Sequence, residues 1–181
     1  MKWKLLSLVL VVGLVAEDVA AAVCDNLLDF SYRRLASSQE QNLCESYAGN
    51  VILVVNTASR CGFTGQFSDL EALYQQHRED GLVILGFPSN DFNQELPDEE
   101  GTADVCFLNY GVTFPMFATT TVTGDEANAL FRALADAQAA PRWNFTKYLI
   151  GRDGTVLNSF GPRVRPLDSE LEAAVVAALG D

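Results

Sequence analysis

The stretch that decides the fold is residues 51–67, which read VILVVNTASRCGFTGQF. Its apolar run Val51–Val55 is typical of a strand buried on both faces of a sheet, so we predict that this strand is central. From Gln66 onward the apolar residues recur at helical spacing until Gly81 ends the helix. A second apolar run, Leu82–Phe87, predicts another strand. The order strand, helix, strand predicts two parallel strands joined by a crossover helix.

The rest of the chain adds further strands and a C-terminal helix. We predict strands over Thr113–Phe117, Phe145–Ile150 and Thr155–Phe160, the last two forming an antiparallel hairpin around the turn at 152–154. A final helix follows Pro166, with Ser169 and Glu172 in the positions of a capping box. Together these patterns predict an α/β fold in which a central mixed sheet is flanked by helices.

The first 22 residues have the three-part organisation of a secretory signal peptide. Lys2 and Lys4 supply a positive start, residues 5–15 are almost entirely apolar, and small residues follow at Ala20–Ala22. The apolar run is shorter than the about 20 residues that a membrane-spanning helix needs. We therefore predict that residues 1–22 are cleaved off. A single domain over 23–181 then remains, exported to the periplasm or secreted.

Two alternatives to cleavage of the predicted signal peptide remain open. The segment 1–22 could stay attached as an anchor, or Cys24 could carry a lipid, although Val23 before it is unusual for a lipidation signal.

Outside the cytosol thiols tend to pair, and four cysteines allow three pairings that spacing alone does not rank. A bridge between Cys24 and Cys44 would tie down the start of the mature chain.

Charge and composition exclude several classes of partner. The chain carries 24 acidic and 12 basic side chains, a net charge of -12, which repels nucleic acid and anionic membranes. There is a single histidine, His77, and no Cys-x-x-Cys pair. We interpret His77 as a solvated residue near a helix end, and we expect no metal and no cofactor.

Cys61 is the first candidate for chemistry. It lies in a loop that leaves the carboxyl end of a buried strand and enters a helix, the usual place for a site in an α/β sheet. The N–H groups of a helix N-terminus favour the thiolate, which is the nucleophilic form, and Arg60 adds positive charge. The alternative, a small buried cysteine used for packing, is common for free cysteines but fits the polar, glycine-rich flanks poorly.

Four blocks of the sequence resemble the glutathione peroxidase family. The blocks occur in the same order as in that family: 55–64 (VNTASRCGFT), 86–90 (GFPSN), 109–115 (NYGVTFP) and 143–145 (WNF). The resemblance as a whole runs from about Leu28 to the C-terminus. The resemblance implies a thioredoxin-like fold and reduction of hydroperoxides at Cys61. It also makes Trp143 and Asn144 the family's tryptophan and asparagine, which are suitable N–H donors to a thiolate or a departing oxygen.

One block departs from the family pattern. Asp91 stands where the family usually has a glutamine in an Asn-Gln-Phe block, so an amide donor is replaced by a carboxylate. An ionised Asp91 beside Cys61 would disfavour the thiolate unless the carboxyl is protonated, turned away or offset by other donors. The following block is altered as well, and Gln94 within it is a second amide that could reach the site. An ordinary acidic surface loop is the remaining interpretation of Asp91.

The resemblance also assigns a partner thiol. Thioredoxin-dependent members of the family carry a resolving cysteine in a block that matches Cys106 and its neighbours, so we predict a disulfide between Cys61 and Cys106 after oxidation. The segment 97–104 before it is acidic and contains Gly101, which predicts a helix start that can open. The alternative is that Cys106 is inert and buried.

The predicted function is thus thiol-dependent reduction of hydrogen peroxide and organic hydroperoxides. The electron donor is a thiol, either a thioredoxin-like protein or glutathione, and the acidity of the chain favours the protein. The alternative is a thioredoxin-fold protein without turnover, acting as a redox sensor or a disulfide carrier. The absence of a Cys-x-x-Cys pair disfavours the carrier, because Thr64 stands where its second cysteine would be.

Overall fold

The computed structural model describes residues 27–180. The predicted signal peptide and Cys24 lie outside the described residues. The strands are β1 (Ser31–Arg33), β2 (Glu40–Asn42), β3 (Val51–Thr57), β4 (Leu82–Pro88), β5 (Lys147–Ile150) and β6 (Val156–Phe160). The helices are α1 (Leu43–Tyr47), α2 (Gln66–His77), α3 (Glu99–Ala103), α4 (Ala129–Ala137) and α5 (Glu170–Gly180), and a π-helix over Asp104–Asn109 continues α3.

The main sheet has four strands in the order β4-β3-β5-β6. Strand β3 pairs with β4 in parallel and with β5 antiparallel, so the prediction that Val51–Val55 is central is confirmed. The predicted hairpin of the last two strands is also present as β5 and β6. Because Thr57 and Pro88 are register partners, the loops after β3 and β4 leave the same edge of the sheet side by side.

The sheet is covered on both faces. Alternate residues of β3 point to opposite sides, so Leu53 and Val55 belong to one apolar cluster, and Ile52 and Val54 to another. The first cluster includes residues of α2 and α5, and the second includes residues of α4 and α1. Residues Val51–Val55 are fully buried, which is why the sequence shows an unbroken apolar run instead of alternation.

The predicted strand over Thr113–Phe117 is wrong. The segment makes only isolated bridges, one between Met116 and Gly86 and one between Phe117 and Arg34. Pro115 has no N–H to donate, which keeps a regular ladder from forming here. A side chain on Gly86 would lie 2.2 Å from the Met116 sulfur, so Met116 would have to move to admit one.

The sequence analysis missed helices α1 and α4, and of α3 it predicted only a helix start within 97–104; all three have recognisable N-caps. The side chains of Asn42, Asp98 and Asn128 accept backbone N–H groups at the starts of α1, α3 and α4, at 3.0, 2.7 and 3.0 Å. The C-terminal helix is present. Ser169 caps it as expected, but the Glu172 carboxylate accepts from the backbone N–H of Asp168, one residue earlier than a regular capping box places it.

Candidate active site

Cys61 lies in the turn between the end of β3 and the start of α2. Its side chain is 8% exposed, and its sulfur accepts the backbone N–H of Phe63 at 3.4 Å. Such a donor stabilises negative charge on the sulfur. The exposed fraction is small, so most of the side chain is shielded from solvent.

Thr64 holds the Cys61 turn closed. Its buried hydroxyl accepts the Cys61 backbone N–H at 3.0 Å, and it lies 2.7 and 2.9 Å from the carbonyl oxygens of Cys61 and Ala58. The position that a second cysteine would take in a Cys-x-x-Cys protein is therefore occupied by a residue that fastens the loop. This geometry fits a single reactive thiol better than a dithiol carrier.

The turn that carries Trp143 and Asn144 is held by the side chain of Asn56, at the end of β3. The Asn56 amide donates to the Trp143 carbonyl at 3.2 Å and accepts the Thr146 N–H at 3.1 Å. Its backbone carbonyl accepts the Phe145 N–H at 2.7 Å, and Phe145 has a φ of 61°, in the left-handed region. Strain of that kind persists only where surrounding contacts impose it.

Trp143 and Asn144 face different surroundings. The Trp143 indole is 40% exposed and packs at 5.3 Å, centroid to centroid, on Phe92. Asn144 is fully buried, and its Oδ1 has no hydrogen-bond partner among residues 27–180. A buried polar atom without a partner is uncommon and is often found where a substrate or a reacting group completes the bonding.

Gln94 joins this site. The Asn144 amide donates to the Gln94 side-chain carbonyl at 3.1 Å, and the Gln94 backbone carbonyl accepts the N–H of Arg60 at 2.8 Å. Through these two bonds the loop after β4 is attached to both the Cys61 turn and the Asn144 turn. The Gln94 side chain keeps two N–H donors of its own.

Asp91 is turned away from the site. One oxygen of its carboxylate accepts the N–H groups of Val122 and Thr123 at 2.7 and 2.9 Å, and the Thr123 hydroxyl at 3.0 Å. The carboxylate thus anchors the 122–123 loop, and the amide that contacts Asn144 comes from Gln94. Catalysis by Asp91 itself stays a prediction for which this geometry offers no direct contact with Cys61.

Cys106 is more deeply buried than Cys61. It is 1% exposed within the π-helix Asp104–Asn109, and both thiols are free. Burial raises the pKa of the Cys106 thiol to about 12, and the nearby Glu95 carboxylate adds to the rise. The two cysteines belong to the same apolar cluster on one face of the sheet. As it stands, Cys106 is neutral and shielded.

Glu95 connects the site loop to the helix before Cys106. Its buried carboxylate accepts the Leu96 N–H at 2.7 Å and the Thr102 hydroxyl at 3.1 Å, while its own N–H donates to the Asn90 side chain at 3.1 Å. Helix α3 and the π-helix therefore attach to the same loop that supplies Gln94.

Lys147 is a buried amine that the sequence analysis did not single out. It is fully buried on β5, and its Nζ donates to the Gln66 side chain and, at 2.8 Å, to the Val164 carbonyl. Gln66 in turn donates to the Pro162 carbonyl at 2.6 Å. These contacts tie the first turn of α2 to the segment after β6. The sequence does contain a feature that could have indicated this buried amine, because Lys147 stands within an otherwise apolar strand.

The fold, together with a cysteine in the turn just before a helix, is typical of one class of protein, the thiol-dependent oxidoreductases. The family model for glutathione peroxidase matches residues 27–135. A glutathione peroxidase of Lactococcus lactis subsp. cremoris is 45% identical over 153 residues, covering 81% of this chain and 96% of the relative. A glutathione peroxidase homolog of Staphylococcus aureus is 46% identical over 134 residues, covering 71% and 85%. The chain belongs to the glutathione peroxidase family and is a thiol peroxidase.

Solved structures agree with the fold. The crystal structure of Trgpx in apo form is 33% identical, with a TM-score of 0.68, and the match covers 85% of this chain and 95% of that one. A thioredoxin-family thiol:disulfide interchange protein from Chlorobium tepidum has a TM-score of 0.65 at 20% identity, covering 86% and 96%. At that identity the second likeness shows the fold alone. The predicted thioredoxin-like fold is confirmed.

The Lys147 amine predicts a pH-dependent stability. Burial lowers its pKa from 10.5 to about 7. Between these values the unfolded chain binds the proton and the folded chain does not, so the free energy of unfolding rises with pH across this window, by up to about 1.4 kcal/mol per unit. Urea unfolding of the wild type and Lys147→Met at several pH values between 6 and 9 measures this. The variant should lack the rise of the free energy of unfolding that Lys147 causes. If this free energy depended on pH in the same way in both proteins, the lowered pKa assigned to Lys147 would be contradicted.

Proposed function

We propose that Cys61 is the peroxidatic cysteine of this thiol peroxidase. The observation that carries the proposal is the junction of three segments at one place: the Cys61 turn, the Gln94 loop and the Asn144 turn. The Cys61 thiolate attacks the terminal oxygen of a hydroperoxide, the O–O bond breaks, and an S–O bond forms. The departing alkoxide or hydroxide takes up a proton and leaves as alcohol or water, and Cys61 becomes a sulfenic acid.

Donors around Cys61 stabilise the charges that this step creates. The Phe63 N–H supports the thiolate, and the amides of Gln94 and Asn144, with the Trp143 indole, are the groups able to donate to the oxygen as its bond breaks. The unpartnered Oδ1 of Asn144 has a different use, since an amide oxygen accepts: it can accept the O–H of the incoming hydroperoxide. Trp143 and Asn144 are adjacent in the sequence, whereas Gln94 lies next to Asn144 only in the folded protein.

Cys106 is the proposed resolving cysteine. Its thiol loses a proton and the thiolate attacks the sulfenic sulfur, so an S–S bond forms and the S–O bond breaks. The departing hydroxide takes up a proton and leaves as water. The burial of Cys106 and its raised pKa mean that the segment 99–109 must open before this step. Features that favour opening are the five-residue length of α3, the glycine within it, and the π-helix that follows.

The amide assignment is tested by a pair of variants. Gln94→Leu removes the amide that contacts Asn144, so the second-order rate constant for oxidation of Cys61 by hydrogen peroxide should fall by about 10²-fold, as for loss of one donor to a developing oxyanion. Stopped-flow tryptophan fluorescence with no electron donor measures it.

Asp91→Asn is the matched control for Gln94→Leu. It weakens the anchor on Val122 and Thr123, so it should lower the free energy of unfolding by about 1–2 kcal/mol while the rate constant changes less than threefold. A large loss of rate in Asp91→Asn with a normal Gln94→Leu would reverse the two roles. Cys61→Ser sets the baseline, because it should show no reaction.

Disulfide formation is tested by mass spectrometry. After one equivalent of peroxide, the reduced protein should lose two hydrogens through a Cys61–Cys106 bond, mapped by peptide analysis. In Cys106→Ser the same treatment should give sulfenic and then sulfinic Cys61. A wild-type protein that shows only sulfinic Cys61 and free Cys106 would contradict the resolving role.

We further propose that the chain is exported through residues 1–22 and that Cys24 pairs with Cys44. The signal-like order of charged, apolar and small residues supports export. The family match begins at residue 27, beyond that segment. The pairing is supported by Cys61 and Cys106 being the free thiols of the described part of the chain and by the oxidising conditions that export implies.

Thiol labelling and N-terminal sequencing test the export proposal together. The protein purified from the outside of the producing cell should begin near residue 23. Without prior reduction, denatured protein should take up two alkyl groups, on Cys61 and Cys106, and four after reduction. An intact N-terminus, or four labelled cysteines before reduction, would contradict it.

A further inference from the structure

An ion pair joins the segment 99–109, which carries Cys106, to the first strand. Arg33, the last residue of β1, donates from both terminal nitrogens of its guanidinium group to the two carboxylate oxygens of Glu99, each at 2.8 Å. The backbone N–H of Ala36 donates to one of these oxygens as well, at 2.8 Å. Glu99 is the first residue of α3. We call the contacts of Glu99 with Arg33 and Ala36 the Glu99 latch, because they hold the helix at its start.

The Arg33 side of the latch belongs to a well-anchored part of the fold. The Arg33 carbonyl accepts the N–H of Ala118 at 2.8 Å, and the N–H of Leu35 donates to the Met116 carbonyl at 3.0 Å. That stretch of chain is in turn bonded to Gly86 of β4 through both the N–H and the carbonyl of the glycine. The guanidinium group is therefore presented from a fixed strand, and a bidentate pair of this geometry is stronger and more directional than an ordinary ion pair.

The other end of the segment is held by α2. The Glu71 carboxylate accepts the N–H of Thr113 at 2.8 Å and its hydroxyl at 2.6 Å, and Gln75 donates to the same hydroxyl at 2.7 Å. Between the two attachments lie features that weaken a helix, Gly101 within α3 and the π-helix Asp104–Asn109. The segment is thus fastened at both ends and weak in the middle.

We expect the segment to open from the Glu99 end. There it is held by side chains that are about a third exposed, 38% for Arg33 and 34% for Glu99, and water competes readily for such pairs. Packing of the π-helix is incomplete, since Leu108 is 75% exposed. The hydrogen bond between Glu95 and Thr102 lies deeper, with both residues buried, so it should break only after Glu99 has been released.

We propose that Arg33 and Glu99 are positioning residues for the resolving step, and that release of the Glu99 latch sets the rate at which Cys106 reaches the sulfenic acid of Cys61. This rests on the proposed function, in which these two cysteines form a disulfide. While the latch is closed, a second hydroperoxide can transfer one oxygen to the sulfenic sulfur, which gives sulfinic Cys61 and releases water or an alcohol. The latch therefore sets how much of the oxidised protein is resolved and how much is over-oxidised.

Removal of the latch tests the proposal. Reduced wild type, Glu99→Ala, Arg33→Met and the double variant are mixed with hydrogen peroxide without an electron donor. Stopped-flow tryptophan fluorescence separates the phase that depends on peroxide concentration from the later phase that does not, which is disulfide formation. The later phase should be about fivefold faster in each single variant and no faster still in the double variant, because both changes remove the same contact. The first phase should stay within about twofold of the wild type, since the Cys61 turn keeps its donors.

Glu100→Ala is the matched control. Glu100 lies in the same first turn of α3, and its side chain makes no hydrogen bond or ion pair within residues 27–180. The control changes the net charge and the helix propensity as Glu99→Ala does, so it should keep the wild-type rate of disulfide formation.

Two further measurements separate the latch from a general loss of stability. Under excess peroxide, mass spectrometry should show the ratio of sulfinic Cys61 to disulfide falling about fivefold in the latch variants. Amide hydrogen exchange should become faster within residues 99–109 and stay unchanged in β3.

Equal rates of disulfide formation in Glu99→Ala and Glu100→Ala would overturn the proposal. A slower later phase in the latch variants, or an unchanged ratio of sulfinic Cys61 to disulfide, would overturn it as well. A wild-type protein that forms no Cys61–Cys106 bond would reject the resolving role and the latch with it, whereas normal disulfide formation that no variant accelerates rejects only the latch.

Discussion

The proposed active site depends on one buried amide, that of Asn56 at the end of the central strand. Its side chain both donates and accepts across the gap to the turn at 143–146, and its backbone holds Phe145 in a left-handed conformation. Four residues further along the chain, Arg60 attaches to Gln94, and Cys61 follows. Asn56 thereby sets the position of Asn144 relative to Cys61. Because Asn56 is fully buried, losing one partner would leave an unpaired polar group in the core, which typically costs about 1–3 kcal/mol.

Cys61 and Cys106 have different environments, and each suits the role proposed for that thiol. Cys61 keeps a small exposed fraction, 8%, and a backbone N–H is directed at its sulfur. Cys106 is sequestered, and its thiol stays protonated at neutral pH. In the proposed mechanism the second thiol therefore enters the reaction only when its helix opens. Glu95 couples this event to the site, since the residue next to Gln94 also holds Thr102 of α3. Opening of α3 is thus a local change next to the amide that supports Asn144.

Much of this arrangement could be predicted from the sequence, and the exceptions have physical causes. The central strand, the crossover helix and the last two strands follow from apolar periodicity, which records burial directly. The segment 113–117 has the same apolar composition but is limited to single bridges by Pro115 and by its close approach to Gly86. Composition cannot distinguish a strand from an extended segment packed on one.

The site was less predictable where residues meet through tertiary contacts. Cys61, Trp143 and Asn144 are recognisable from their local blocks, but the orientation of Asp91 depends on the distant loop at 122–123, and no local pattern encodes it. Gln94 reaches Asn144 from 50 positions away, with Asn93 in the left-handed region to turn the chain. Lys147 is buried among apolar residues because Gln66 and Val164 supply its partners, and both are distant in sequence.

The most direct test of this account is the second-order rate constant for the reaction of reduced Cys61 with hydrogen peroxide, compared with that of free cysteine thiolate under the same conditions. Both are measured at pH 7 by rapid mixing without any electron donor. The proposed donors to the reacting sulfur and oxygen predict a rate constant at least about 10³-fold above that of the free thiolate. A rate constant within tenfold of the free thiolate would show that the buried amides and the Phe63 N–H do not activate this sulfur, and it would contradict the central claim.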